Sequence, residues 1–235
     1  MLNWKTSQKS NIHLLKIGIT NCFFIERNGI TLLVDTGQKR YSKKLKTQLS
    51  ILLKNYNKLD YLILTHTHYD HAENANMVKQ LFSPEIIAHK SETQFLKEGF
   101  TKLPRGTNIF TDTICKLGNR FAHKIAEYNP VETDLEIEDS FGFKNIPGIK
   151  IIHTPGHTIG SLSVIIDDEI ALVGDTMFGI FKEKIMPPFA DHKKDLYESW
   201  SKLLETSCKS FIPAHGKLIK RVLVEKHINK LNNEL

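Results

Sequence analysis

The six consecutive residues His66-Thr67-His68-Tyr69-Asp70-His71 carry three imidazoles and a carboxylate. These are the nitrogen and oxygen donors that hold divalent metal ions in hydrolytic sites. If the chain stays extended, His66 and His68 at i and i+2 project to the same side. Asp70 and His71 fall where the chain turns toward the next helix and aim two more ligands into neighbouring space. Four donors exceed what one tetrahedral catalytic zinc takes while keeping a water position open. Two metal ions are therefore expected.

Two metals need further ligands. His157 lies in His153-Thr154-Pro155-Gly156-His157-Thr158, Asp175 in Gly174-Asp175-Thr176, and His215 in Pro213-Ala214-His215-Gly216. Each candidate follows a predicted strand and sits in a loop, where a rigid scaffold can present it. No thiolate joins them. Cys22, Cys115 and Cys208 are far apart and never form a C-x-x-C pair, so they are expected to be idle thiols in a reducing cytoplasm.

The elements that must position these groups are legible in outline. Apolar runs predict strands over 14–19, 22–26 and 30–34, with Asn28-Gly29 as a hairpin signal. Leu45, Leu49, Leu52 and Leu53 at helical spacing predict a helix over 41–55, with its lysines on the solvent side. A strand over 60–65, a helix over 72–81 and a strand over 85–88 follow. Strands are expected again over 149–153, 161–166 and 169–173, the last two joined at Asp167-Asp168. A helix over 191–205, a last strand over 209–212 and a closing helix over 222–232 complete the pattern. Between 91 and 140 the periodicity weakens, which suggests an insertion covering one face. With no internal repeat or linker-like stretch, the chain reads as one α/β domain over 1–235 with mixed sheets.

With these motifs in order, the sequence resembles the metallo-β-lactamase superfamily: Asp35 closing an early strand, His66-x-His68-x-Asp70-His71, His157, Asp175 and His215. The resemblance implies a four-layer αββα sandwich with the metal site at one edge between two mixed β-sheets. It also implies that His66, His68 and His157 hold one metal and Asp70, His71 and His215 the other, with Asp175 bridging. Ala72-Glu73 stand where relatives similar to glyoxalase II often carry glycines, and only a short segment follows His215. A member with its own substrate-covering insertion is expected instead.

The implied chemistry is that of a binuclear hydrolase. Metal ions, zinc first with iron or manganese also fitting, lower the pKa of bound water to roughly 7, and the resulting hydroxide attacks a carbonyl. Asp70 is the candidate catalytic group, as ligand and as holder of the water's proton. Small esters, thioesters or lactones are the expected substrates. The alternatives within the same scaffold are a mononuclear iron persulfide dioxygenase and a phosphodiesterase or nuclease. The complete second ligand set argues against the dioxygenase.

Composition narrows the rest. At 40% hydrophobic and 25% charged the chain is ordinary globular protein, not a disordered or fibrous one. Its apolar runs are too short for a membrane span. No leader is visible at the start, so a cytoplasmic location is expected. The net charge of +6, from 32 Lys+Arg against 26 Asp+Glu, reads as spread along the chain rather than gathered at the ligand loops. That argues against a nucleic-acid partner. Nothing in the sequence signals an oligomeric state.

Several residues carry two readings each. Asp35 is either a support for a ligating histidine or a strand-end turn residue, and His153 either a second support or strand-end packing. Tyr69 faces substrate or packs. The phenylalanines of 91–140 line a pocket or pack on the sandwich. His13, His89, His123, His192 and His227 are expected to be surface or satisfied histidines, and Lys39, Arg40, Lys43, Lys44 and Lys46 a solvated helix face.

Overall fold

The computed structural model describes residues 2–107, 111–113 and 126–234. Its first sheet has seven strands ordered as in the sequence: β1 (Asn3–Lys5), β2 (Asn11–Ile17), β3 (Thr20–Arg27), β4 (Ile30–Val34), β5 (Tyr61–Ile63), β6 (Glu85–His89) and β7 (Leu135–Ile137). Strands β1 to β4 run antiparallel as a meander, and β4 to β7 run parallel. The second sheet has six strands: β8 (Ser140–Gly142), β9 (Ile149–His153), β10 (Leu162–Ile166), β11 (Ile170–Leu172), β12 (Ser210–Ile212) and β13 (Ile219–Lys220). Here β11 and β12 pair in parallel and the other neighbours antiparallel. Both sheets are mixed.

Side-chain alternation builds the layers. In β3, Phe23 and Ile25 join one apolar cluster while Cys22 and Phe24 join another. In β10, Leu162, Val164 and Ile166 face the first cluster and Ile165 a third. Residues of period two therefore point to opposite faces, and both faces are buried. The first cluster lies between the sheets. The second packs the outer face of the first sheet on α1 (Ser42–Leu52), α3 (Ala75–Phe82) and α4 (Thr93–Glu98), through Leu45, Leu49, Val78 and Leu96. The third packs the second sheet on α5 (Lys193–Glu205) and α6 (Arg221–Glu234), through Leu196, Trp200, Leu203 and Val224. The result is the expected αββα sandwich.

The two predicted tight turns share one geometry. Asn28 and Gly29 have φ of 54° and 81°, and Asp167 and Asp168 have φ of 55° and 53°. Paired positive φ values match the twist of the flanking strands, which is why Asn, Asp and Gly sit there.

Three expectations need correction. Asp70 and His71 stand on a short helix, α2 (Tyr69–Ala72), rather than in a bare turn. Strand 209–212 is not the last, because β13 closes the sheet antiparallel to it. The short β1 and β8, three residues each, carry too little apolar pattern to be seen in sequence. The reading of 91–140 as a covering insertion falls partly outside the described residues, as do the readings of Phe110, Cys115, Phe121 and His123. Among the described residues no helix is long and apolar enough to cross a membrane.

Candidate metal centre

All the candidate ligands converge at one edge of the sandwich, each at the C-terminal end of a strand. The segment after β5 supplies His66 and His68 and leads into α2 with Asp70 and His71. The loops after β9, β11 and β12 supply His157, Asp175 and His215. One donor atom each from His66, His68 and His157 falls within a mutual distance of 4.8 Å, and the same holds for Asp70, His71 and His215 and for His66, His71 and Asp175. Six of the seven residues are buried; Asp70 is partly exposed.

Hydrogen bonds at the outer ring nitrogens fix which atom each histidine turns inward. His71 Nδ1 donates to Asp35 Oδ2 at 2.9 Å, His157 Nδ1 to the Phe189 carbonyl at 2.9 Å, and His215 Nδ1 to the Ile19 carbonyl at 3.2 Å. His66 Nδ1 faces the Thr65 hydroxyl at 3.2 Å, and that hydroxyl donates to Asp35 Oδ2 at 2.8 Å. In all four rings Nδ1 is thereby engaged and Nε2 is the nitrogen turned toward the site, the arrangement a metal ligand needs. His68 is the exception: its Nδ1 lies 3.0 Å from His157 Nε2.

Asp175 spans both groups. Its Oδ2 is 3.5 Å from His157 Nε2, while Oδ1 is 3.5 Å from His71 Nε2 and 3.4 Å from His215 Nε2. Asp70 Oδ2 is 3.2 Å from His215 Nε2. Three buried polar atoms have no hydrogen-bond partner here: His66 Nε2, His71 Nε2 and Asp175 Oδ1. Buried polar atoms are nearly always satisfied, and these three point into one space. A divalent cation satisfies lone pairs of this kind without a proton, so the donor set fits a metal.

The electrostatics divide the site. Burial pulls His66 far below the usual imidazole value, with His71, His68 and His157 adding to it. Burial and His157 bring His68 down to about 3. Both rings are neutral and ready to coordinate at neutral pH. Burial also works against charge on His71 and His215, yet Asp175 with Asp35 and Asp70 raises His71 well above the usual value, and Asp175 with Asp70 raises His215. Burial pushes Asp175 up, but His215, His71 and His157 outweigh it and hold the carboxyl low.

The backbone at this edge is made for close approach. Gly174 has φ of +50°, and a Cβ there would stand 2.7 Å from Thr65 Oγ1, the hydroxyl that links His66 to Asp35. Asp35 itself holds φ of 60°, an unusual conformation for a residue with a side chain. Asp35 is thus the histidine support of its two readings.

A family model described as the metallo-beta-lactamase superfamily matches residues 15–215. The chain belongs to this superfamily. It is 26% identical over 180 residues, 74% of this chain and 67% of the relative, to the metallo-beta-lactamase fold-containing protein ST1585 of Sulfurisphaera tokodaii. It is 29% identical over 120 residues to the probable metallo-hydrolase MJ0888 of Methanocaldococcus jannaschii, a match to 51% of this chain and 50% of that protein. The crystal structure of ST1585 from Sulfolobus tokodaii superposes with a TM-score of 0.70 at 22% identity, covering 94% of this chain and 86% of that one. The BLEG-1 B3 metallo-beta-lactamase superposes with the same TM-score of 0.70 at 20% identity, over 94% of this chain and 99% of that one.

Two supports of this candidate metal site stand in no motif. Glu92, buried after β6, accepts the Thr67 amide at 3.1 Å and hydroxyl on Oε2, and the Gly160 amide at 3.2 Å on Oε1. It ties the His66–His68 segment to the loop that carries His157. Asn21, buried at the start of β3, donates from Nδ2 to the carbonyls of Pro213 at 2.9 Å and Gly216 at 3.0 Å and accepts from Lys16 Nζ at 2.9 Å. It clamps the loop that carries His215. Neither residue stands in a metal-ligand motif, so only the tertiary contacts reveal them. His153 does not touch the ligands; its Nε2 donates to the Ile159 carbonyl at 2.8 Å and its ring stacks on His89.

A cavity of about 610 Å³ opens over the site. Tyr69 and Asp70 line it beside Ile19, Leu103, Phe178 and Phe189. Tyr69, which lines the cavity, also packs on the second apolar cluster. Leu103 and Pro104 are the described part of the 91–140 stretch that reaches the cavity. Lys16 lines this cavity, and Lys182, Lys184, Lys217 and Lys220 line the neighbouring one.

Proposed function

We propose that this chain is a binuclear metal-dependent hydrolase that cleaves a small ester, thioester or lactone. The observation that carries the reading is the span of Asp175, with one carboxylate oxygen toward His157 and the other toward His71 and His215. His66, His68 and His157 would hold one divalent cation, Asp70, His71 and His215 the second, and Asp175 would be shared. Zinc suits imidazole and carboxylate ligands best; iron and manganese also fit. Two such cations supply Lewis acidity and make water a nucleophile near neutral pH.

The protein's own groups do the rest. Asp70 combines contact with the ligand cluster and an edge on the cavity, so it is the carboxylate placed to take the proton that water loses. The apolar walls at Leu103, Phe178 and Phe189 bind an acyl group and exclude bulk water. Asp35, Glu92 and Asn21 hold three ligand segments in register.

Elemental analysis of protein purified without chelator or added metal tests the reading. About two equivalents of zinc or manganese per chain, with turnover of a panel of esters, thioesters and lactones, is the expected result. One equivalent of iron with oxygen consumption on a persulfide would overturn it in favour of the dioxygenase.

A further inference from the structure

A second cavity of about 610 Å³ adjoins the metal pocket, with Ile180 lining both. The wall between them is the backbone bridge of Gly179 and Gly216, closed by Gly179 N to the His215 carbonyl at 2.9 Å and Lys217 N to the Gly179 carbonyl at 2.9 Å. The residue after the ligand His215 therefore forms the partition. A Cβ on Gly179 would stand 1.9 Å from the Lys217 carbonyl oxygen, so the partition is as thin as two backbones in contact.

Four lysines line the second cavity: Lys182, Lys184, Lys217 and Lys220. All are exposed, and among the described residues no carboxylate pairs with any of them. The one acid in the lining, Glu183, is turned to Lys226 at 3.8 Å. Phe181, 68% exposed, and Val222, 67% exposed, add apolar surface beside the ammonium groups. Four unneutralised ammonium groups around one hollow repel each other, a cost that an anion of several charges removes. An exposed phenyl ring beside them offers a face for a flat ring.

We propose that the substrate is an acyl group joined by a thioester or ester to a phosphate-bearing leaving group, with the acyl group in the metal pocket and the phosphates among the four lysines. This rests on the hydrolase reading of the metal centre. Hydrolysis breaks the bond from acyl carbon to carrier sulfur or oxygen. The acyl carbon takes the hydroxyl of water, and the carrier takes the remaining proton to leave as thiol or alcohol. A nucleic-acid strand fits less well. It needs cations tracking the backbone on both sides of the scissile phosphate. Among the described residues the metal pocket's lining includes Leu103, Pro104 and Phe189, and the ammonium of Lys16, also in that lining, is given to the Ile19 carbonyl and Asn21 Oδ1.

The test compares octanoyl-coenzyme A with the octanoyl thioester of N-acetylcysteamine, the same bond without phosphates, on the metal-loaded full chain. A second readout is calorimetric binding of free coenzyme A to the chelator-treated protein. The expected result is a kcat/KM ratio above about tenfold in favour of the coenzyme A thioester, carried by KM and shrinking with added salt. In the doubly substituted Lys184→Glu, Lys217→Glu protein, with melting temperature as the folding control, that ratio narrows and coenzyme A binding weakens at least about tenfold. Equal turnover of both thioesters, unmoved by the substitutions, overturns the lysine cavity and leaves the hydrolase reading standing. Lysine-dependent binding of coenzyme A with no turnover of any ester or thioester upholds the cavity and overturns that reading. Cleavage of a single-stranded RNA oligomer with neither thioester turned over overturns the proposal in favour of a nuclease. No binding and no turnover overturns both.

Discussion

Asp35 Oδ2 stands 2.9 Å from His71 Nδ1, and the same carboxylate reaches His66 through the hydroxyl of Thr65. One carboxylate thus sets the proton position on two imidazoles, each assigned here to a different cation. Asp35→Asn keeps the shape and removes the charge that fixes both rings. Metal affinity should fall about 10- to 100-fold, with a far smaller change in melting temperature. Competition with a chromophoric chelator measures the loss; unchanged affinity would remove Asp35 from the site.

Asp175→Ala should cost at least one equivalent of metal, because its two oxygens face both histidine groups. Elemental analysis beside a thermal melt separates metal loss from unfolding. Retention of both equivalents with full activity would end the shared-ligand assignment.

Glu92→Gln puts an amide nitrogen where a carboxylate oxygen accepts an N–H or O–H donor. The stability cost is about 1–3 kcal/mol for the unsatisfied group. Metal should leave more readily from the site formed by His66, His68 and His157 than from the other. Cobalt substitution followed by visible spectroscopy reads the two sites apart.

Trp200 is fully buried on α5, and its Nε1 donates to the Thr176 carbonyl at 2.7 Å, next to Asp175. Trp200→Ala should destabilise by about 3–5 kcal/mol. Trp200→Phe, which keeps most of the packing, should cost about 1–3 kcal/mol. Urea unfolding of the metal-loaded proteins gives both values, and a Trp200→Phe protein as stable as the parent would show that the hydrogen bond contributes nothing.

Alkaline pH should loosen the fold. Burial raises the Cys22 thiol well above the ordinary 9.0 and, with Glu92, brings the Tyr128 hydroxyl to about 12. The folded state holds these protons more tightly than the unfolded chain. Their contribution is therefore complete below the ordinary values and is lost as pH rises above them. In the metal-loaded protein, melting temperature should decline above about pH 9. Tyr128→Phe should soften that decline, and Cys22 should resist alkylation until the protein unfolds.

Much of this was legible in the sequence because metal ligands must be particular residue types at fixed strand ends. His66, His68, His157, Asp175 and His215 could be read from the strand-then-loop rhythm that surrounds them. The continuous apolar runs of β3 and β10, buried on both faces, likewise made these strands readable. Glu92 and Asn21 could not be found that way, because one buried amide or carboxylate leaves no periodic trace and acquires meaning only from partners far along the chain. The lysine cavity was invisible for the same reason. Lys182 and Lys184 are separated from Lys217 and Lys220 by α5 and β12, and the Gly179–Gly216 bridge brings the two segments together.

The ligand set draws on both sheets, four residues following β5 and three following β9, β11 and β12. Neither half of the chain can complete a coordination sphere alone. High-affinity metal uptake must then be a late event in folding, after the two sheets have met face to face. Metal held there would act as a clasp between distant stretches of chain. Opening the sandwich would require releasing it, so the rate at which the folded protein comes apart should follow the free metal concentration.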